Sequence, residues 1–325
     1  MEIKHSILVI TYNHENFIKE AIDSLIFQTE LPYEIIIVDD KSSDNTFQII
    51  LEFSKKYPNI IRAYQNTSNL GVYKNYERVK ELSSGNIISF CSGDDKLDLA
   101  CVENVNKEYK RLNINPESTR AIVITNSIHL YSNGDTVLWN NYKERNIKLL
   151  KSYLRTSLSH RGVGYTKALL SSLPKMTELQ KKHPSLGWGY DTLKGLYEAK
   201  LIETYSHINI VGGIYRLNFG VTSAKKTTDY WLSLIKTFDL IQNTFKDLDK
   251  KDISYINFIK IGSQNKIGNG LIDFIKVLYH LIKNVNNFGY NNPFSRNIHY
   301  LFSDKMTQFL KTYYIKYLKI CQNDL

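Results

Sequence analysis

Over the first hundred residues the hydrophobic spacing switches back and forth between two periods, and few folds accept such a pattern. "SILVITY" (6–12) reads as a buried strand, and "ENFIKEAIDSLIFQT" (15–29) places Phe17, Ile18, Ala21, Ile22, Leu25 and Ile26 on one helical stripe. "EIIIVDD" (34–40) is a second strand, and "SSDNTFQIILEFSKKY" (42–57) a helix with Ser and Asp at its start. "NIIRAYQN" (59–66) follows as a strand, then "GVYKNYERVKELSSG" (71–85) as a helix ended by Gly85, and "NIISFCSGDDK" (86–96) opens on a fourth strand. Alternation with short connections predicts an α/β fold: a mainly parallel sheet with helices on both faces. Ligands of such sheets gather at the carboxyl ends of the strands, so those ends carry the search for a site.

The remainder is more mixed. A helix over about 99–112 precedes "AIVITNSIHLYSNGDTVLW", which reads as strands around a Ser-Asn-Gly-Asp turn. Helices are expected near 147–156 and 165–173, and "LIETYSH" and "INIVGGIYRLN" read as two strands. Beyond 225 the composition shifts to Lys, Asn, Tyr, Phe and Ile in helical patterns. The expected organisation is therefore 1–110 and 111–224 as two halves of one α/β domain, with 225–325 a helical C-terminal region.

Charge is unevenly placed. The total is +10, yet residues 1–100 hold 10 Lys+Arg against 15 Asp+Glu. The basic residues are dispersed and lysine-led, and no nucleic-acid-binding signature is present, so no nucleic-acid partner is expected. An anionic membrane face, an anionic substrate or a solvated lysine-rich surface each accounts for the balance. Three cysteines without metal or redox spacing, and no signal peptide in "MEIKHSILVITYN", point to reduced thiols in the cytoplasm. Nowhere do 18 uncharged apolar residues run together.

The strand ends bear the chemistry. "TYNHENF" has neither the glycine pattern of a dinucleotide fold nor a P-loop. Thr11 and Asn13 there offer small polar groups to a ligand, or Asn13 caps the following helix. Asp39 and Asp40 can accept hydrogen bonds from a base or ribose. A phosphoacceptor receiver domain would want the acidic pair on the first strand and an Asp on the third, which is "IIRAYQN" here. Asp94 and Asp95 end the fourth strand as adjacent like charges, costly to desolvate unless something compensates them. A divalent cation, Mn²⁺ or Mg²⁺, shared with a diphosphate would do so; an exposed "SGDDK" turn is the plainer reading.

Taken as an ordered set, "SILVITYNHENFIKEAIDSLIFQT", "EIIIVDDKSSDNT", "NLGVYKNYERVKELSSGNIISFCSGDD", "GYD" and "YRLNFGVTS" resemble the family 2 glycosyltransferases, which have the GT-A nucleotide-sugar fold. The resemblance implies a donor-binding half at 1–110 and an acceptor-binding half at 111–224. It implies that Thr11, Asn13, Asp39 and Asp40 line a nucleoside pocket, with Asn69, Gly71, Lys74 and Asn75 near base and diphosphate. Asp95 would be the metal ligand, Asp94 would reach ribose or metal, and Arg216 would lie near the diphosphate. Asp191 falls where the family places its catalytic base; its plain role is to begin a helix. Trp188 and His160 are candidates for contact with the acceptor, against ordinary rim and surface roles. Ser92, Tyr190 and Asn218 stand where relatives often carry an acid, Glu and His.

The implied activity is inverting transfer of a hexosyl or N-acetylhexosaminyl group from a nucleotide-diphosphate sugar, UDP-linked, to a saccharide or lipid-linked acceptor in bacterial surface polysaccharide synthesis. One carboxylate would take the acceptor's proton while a cation offsets the leaving diphosphate. In "KMTQFLKTYYIKYLKI", Met306, Phe309, Leu310, Tyr313, Tyr317 and Ile320 form a stripe flanked by lysines. It suits either peripheral contact with the inner face of an anionic membrane or packing against the catalytic domain or a second subunit. The rival classes are a nucleotidyltransferase, which would carry a glycine-rich basic loop after strand one, and a non-catalytic nucleotide- or sugar-binding module.

Overall fold

The structure, a computed structural model, describes residues 2–139, 163–184, 186, 190–217, 228–246, 248 and six single positions between 253 and 264. The expected helix near 147–156 and the stripe at 305–320 lie outside the described residues.

The alternation becomes β1 (His5–Thr11), α1 (Ile18–Ile26), β2 (Glu34–Asp39), α2 (Thr46–Lys56), β3 (Ile61–Gln65), α3 (Val72–Glu81) and β4 (Ile87–Ser92). A two-residue strand β5 (Lys96–Leu97) leads to α4 (Cys101–Arg111). Then come β6 (Ala121–Tyr131), β7 (Thr136–Trp139), β8 (Gly164–Thr166), α5 (Lys167–Ser172), α6 (Met176–Lys182), α7 (Tyr190–Leu201), β9 (Thr204–Leu217) and α8 (Thr228–Thr244). The helix expected over 165–173 thus begins as a strand that fills the lane between β4 and β6, and the two strands expected over 201–217 are one, with a register irregularity near Asn126 of its partner β6.

Sheet order is β3-β2-β1-β4-β8-β6-β9-β5, with β7 also on β6. The first four strands pair parallel, as do β6 and β9. The other pairs, of β8 with β4 and β6, β7 with β6 and β5 with β9, run antiparallel. Alternate residues of β1 serve two cores. Ile7 and Val9 join Ile18, Ile22 and Leu25 of α1 on one face. Leu8 joins Val79 of α3 and Leu170 of α5 on the other. Each such side chain, fully buried, contributes roughly 1.5–3 kcal/mol. Two-sided burial is why β2 reads as an unbroken apolar run.

The chain divides into two compact units. Met1–Ile147, Leu158–Lys182 and Tyr197–Lys225 form the first, which holds the whole sheet. Lys148–Ser157, His183–Leu196 and Lys226–Leu325 form the second, where α8 buries Trp231, Phe238 and Ile241.

Candidate active site

The parallel register brings the first strand ends level: Thr11 pairs with Asp39, Asp39 with Gln65, and Ile10 with Ser92. The loops above β1 and β2 are clasped together. Asn13 takes a left-handed backbone (φ 54), its N–H donates to Ser42 Oγ (2.9 Å), and its Oδ1 accepts from Ser43 N (2.9 Å). His14 N donates to Thr46 Oγ1 (2.7 Å) and Glu15 N to Asp44 Oδ2 (3.1 Å). In return Glu15 accepts from the backbone and side-chain nitrogens of Asn45 (3.0 and 2.9 Å), at the start of α2. Asn13 is therefore a clamp between loops and not the cap of α1, whose N-cap position is Phe17, without a side-chain capping bond.

The second-strand carboxylates are buried and shape the loops around them. Asp39 is 0 % exposed; it accepts from Ser42 N (2.9 Å), from Ser42 Oγ and from Gln65 Nε2 (2.9 Å). Asp40 accepts from Asn66 Nδ2 (2.6 Å), Leu70 N (2.8 Å) and Gly71 N (2.8 Å), so it holds the turn that opens α3. Asn69 accepts from Gly71 N (3.1 Å) at the exposed rim. Lys74 is exposed on α3. Asn75 is buried, its amide donating to the Val38 carbonyl (3.1 Å) and accepting from Asn66 (3.1 Å), so it joins α3 to β2.

The acidic turn after β4 is pinned from both sides. Gly93 N donates to the Ile10 carbonyl (3.0 Å). Asp95, 0 % exposed, accepts the Arg216 N–H of β9 on Oδ1 (2.9 Å). The Arg216 guanidinium donates to the Asp94 carbonyl (2.7 Å), pairs with Glu20 of α1 and lies 5.3 Å from the Phe17 ring centre. Arg216 thus locks the turn to α1 and β9. Lys96, first, and then Arg216 hold the Glu20 carboxyl below its usual range. Asp94, 9 % exposed, has Oδ2 3.8 Å from His14 Nε2. Thr11, 3 % exposed, has its hydroxyl 3.2 Å from His14 Nδ1. Burial lowers the His14 pKa, opposed in turn by the charges of Asp94, Asp44 and Asp39.

The family profile described as Glycosyl transferase family 2 matches residues 6–173, just over half of the chain. The chain belongs to glycosyl transferase family 2. Proteins similar to the chain include an uncharacterised protein of Mycobacterium tuberculosis, 38% identical over 115 residues, which are 35% of this chain and 33% of that protein. The poly(ribitol-phosphate) beta-glucosyltransferase of Bacillus spizizenii is 36% identical over 95 residues, 29% of this chain and 15% of that one. The matched segments thus span about a third or less of these relatives. Among solved structures, Staphylococcus aureus TarS 1-349 with UDP-GlcNAc has a TM-score of 0.54 at 20% identity, over 90% of this chain and 75% of that one. A Pyrobaculum calidifontis mannosyltransferase with GDP-Man and Mn²⁺ has 0.50 at 13% identity, over 88% and 81%. The fold of this family 2 chain is accordingly GT-A.

Asp191 lies in the first turn of α7, exposed, within the second compact unit. Trp188, His160 and Asn218 lie outside the described residues. Among the described residues no three His, Cys, Asp or Glu are grouped to hold a metal alone. The Asp94–Asp95 donor set fits instead a hard cation that takes one or two carboxylates and completes its shell with phosphates and water. Asp95 already accepts the Arg216 N–H on Oδ1, so it would meet such a cation as a carboxylate partly engaged by β9. Sequence reasoning missed His14, Glu20 and Asn66. His14 stood in the quoted "TYNHENF", but nothing in that stretch shows that Asp94 comes beside it.

Proposed function

We propose that the chain is an inverting glycosyltransferase that uses a nucleotide-diphosphate sugar, UDP-linked, and a divalent cation. The observation that carries the reading is the gathering of Asp39, Asp40, Asp94 and Asp95 in interlocked loops at the carboxyl ends of parallel strands. A carboxylate offers about four acceptor positions, and Asp39 and Asp40 each give three to described partners, so each keeps about one for a base or ribose group. Asn69 and Lys74 at the rim would meet the donor from the α3 side. Asp94 and Asp95 would hold Mn²⁺ or Mg²⁺, which when bound neutralises charge on the departing diphosphate. Arg216, which braces that turn, is also proposed to lie near the diphosphate.

Asp191 is the proposed general base, taking the acceptor hydroxyl's proton as the new C–O bond forms. The likeness to TarS with UDP-GlcNAc and to the poly(ribitol-phosphate) glucosyltransferase supports a UDP-sugar donor and an acceptor in bacterial surface polymer synthesis. The proposed domain division is a donor half (1–110), an acceptor half (111–224) and a C-terminal region that meets the membrane or a partner. Asp191→Asn is expected to abolish transfer while UDP still raises the melting temperature in the presence of Mn²⁺. Transfer at the wild-type rate would remove Asp191 from the base role; absence of a shift with UDP, GDP, CDP and dTDP alike would overturn the donor reading.

A further inference from the structure

His14 has no part in the roles assigned above, yet the end of β1 and the acidic turn close around it. Its main chain is fixed twice: the N–H donates to Thr46 Oγ1 (2.7 Å), and the carbonyl accepts from Phe17 N (2.9 Å) and Ile18 N (2.8 Å) where α1 begins. The ring is thereby delivered to one place, with Nδ1 3.2 Å from Thr11 Oγ1 and Nε2 3.8 Å from Asp94 Oδ2. Gly93 closes the third side. A Cβ there would stand 2.4 Å from Thr11 Oγ1 and 2.9 Å from His14 Nδ1, so the turn is pressed on the ring with no room for a methyl group.

We infer that His14 is a positioning residue that orients the Asp94 carboxylate through its Nε2–H, backed by Thr11 at Nδ1. The direction follows from the chemistry of the two nitrogens. A carboxylate can only accept, so the ring proton belongs on Nε2 facing Asp94, which leaves Nδ1 to accept from the Thr11 hydroxyl. At 3.8 Å the hold is a charge–dipole contact and not a hydrogen bond. It turns one oxygen of Asp94 toward the ring and so fixes where the other points. The role matches the outer-shell partners that orient metal-binding carboxylates.

The inference rests on the strand-end cleft being the donor site, and two measurements keep the two apart. Long-range ¹⁵N NMR of the unliganded full chain is expected to find His14 as the Nε2–H tautomer, with a resonance that moves in Asp94→Asn. The Nδ1–H tautomer, or an unmoved resonance, would overturn the inference. In titrations of UDP with Mn²⁺, His14→Phe should bind about ten-fold more weakly. His14→Gln, whose amide N–H reaches as far as Nε2, should recover most of that loss. Wild-type affinity in His14→Phe, or an equal loss in both variants, would overturn the inference. If the NMR signature holds while the wild type binds none of UDP, GDP, CDP and dTDP, the donor reading fails and the orientation of Asp94 by His14 stands.

Discussion

At the scale of single residues, Gly71 and Gly93 are irreplaceable for opposite reasons. Gly71 has open space around it, but its backbone (φ 82, ψ 161) is in a region essentially closed to residues with a Cβ. Both Gly71→Ala and Gly71→Asn should therefore lose about 1–3 kcal/mol in urea unfolding. At Gly93 the constraint is contact, with Thr11 Cβ 2.7 Å from a built Cβ. Gly93→Ala should cost a similar 1–3 kcal/mol and weaken nucleotide binding, because the atoms it displaces flank Asp94. The two acids of the turn should separate as well. Asp95→Asn keeps an acceptor for Arg216 N–H and should melt near wild type, whereas Asp95→Leu leaves that buried N–H unpaired and should lose about 1–3 kcal/mol. Equal melting temperatures for the two variants would contradict that account.

At the scale of elements, the site depends on loops tied to one another and to a distant strand. Glu15→Ala removes the acceptor for both nitrogens of Asn45 at the start of α2 and should cost about 1 kcal/mol, as a lost helix cap does. Arg216→Lys cannot reproduce a guanidinium that reaches Glu20, the Asp94 carbonyl and the Phe17 ring together. A double-mutant cycle between Arg216 and Glu20 should nevertheless return only about 0.5–1 kcal/mol, because Glu20 is half exposed and also pairs with Lys96. This dependence on remote partners explains what the sequence could reveal. The first four strands and the helices between them were legible because burial on both faces writes its own period. β5 was not, since two residues have no period and exist as a strand only by pairing with Gly213 and Ile214. Asp39, Asp40, Asp94 and Asp95 announced themselves as acids at strand ends. The work of Asn13 as a clamp and Arg216 as a brace was hidden, because each is defined by partners on another element.

At the scale of the whole molecule, the sheet's stability carries a pH signature. His5 of β1 is buried between Asn106 (2.8 Å) and Ser89 (2.8 Å), and burial pushes its pKa down from 6.5 to about 4. Between those values the unfolded chain binds a proton that the folded chain refuses, so stability falls as pH drops from 6.5 toward 4 and is unaffected by this group above 6.5. The contribution is about 2–3 kcal/mol between pH 7.5 and 4.5, and urea midpoints should fall less steeply over that range in His5→Gln.

The brace of the acidic turn by β9 also has a meaning in time. Asp95 and Arg216 are 121 residues apart, so a ribosome that has just finished the acidic turn must work for roughly 6–25 s before the arginine that secures it is made. Throughout that interval the nascent sheet can hold β1 to β4 in register, but its acidic edge has no brace. The acidic turn is thus secured by a strand made long after it.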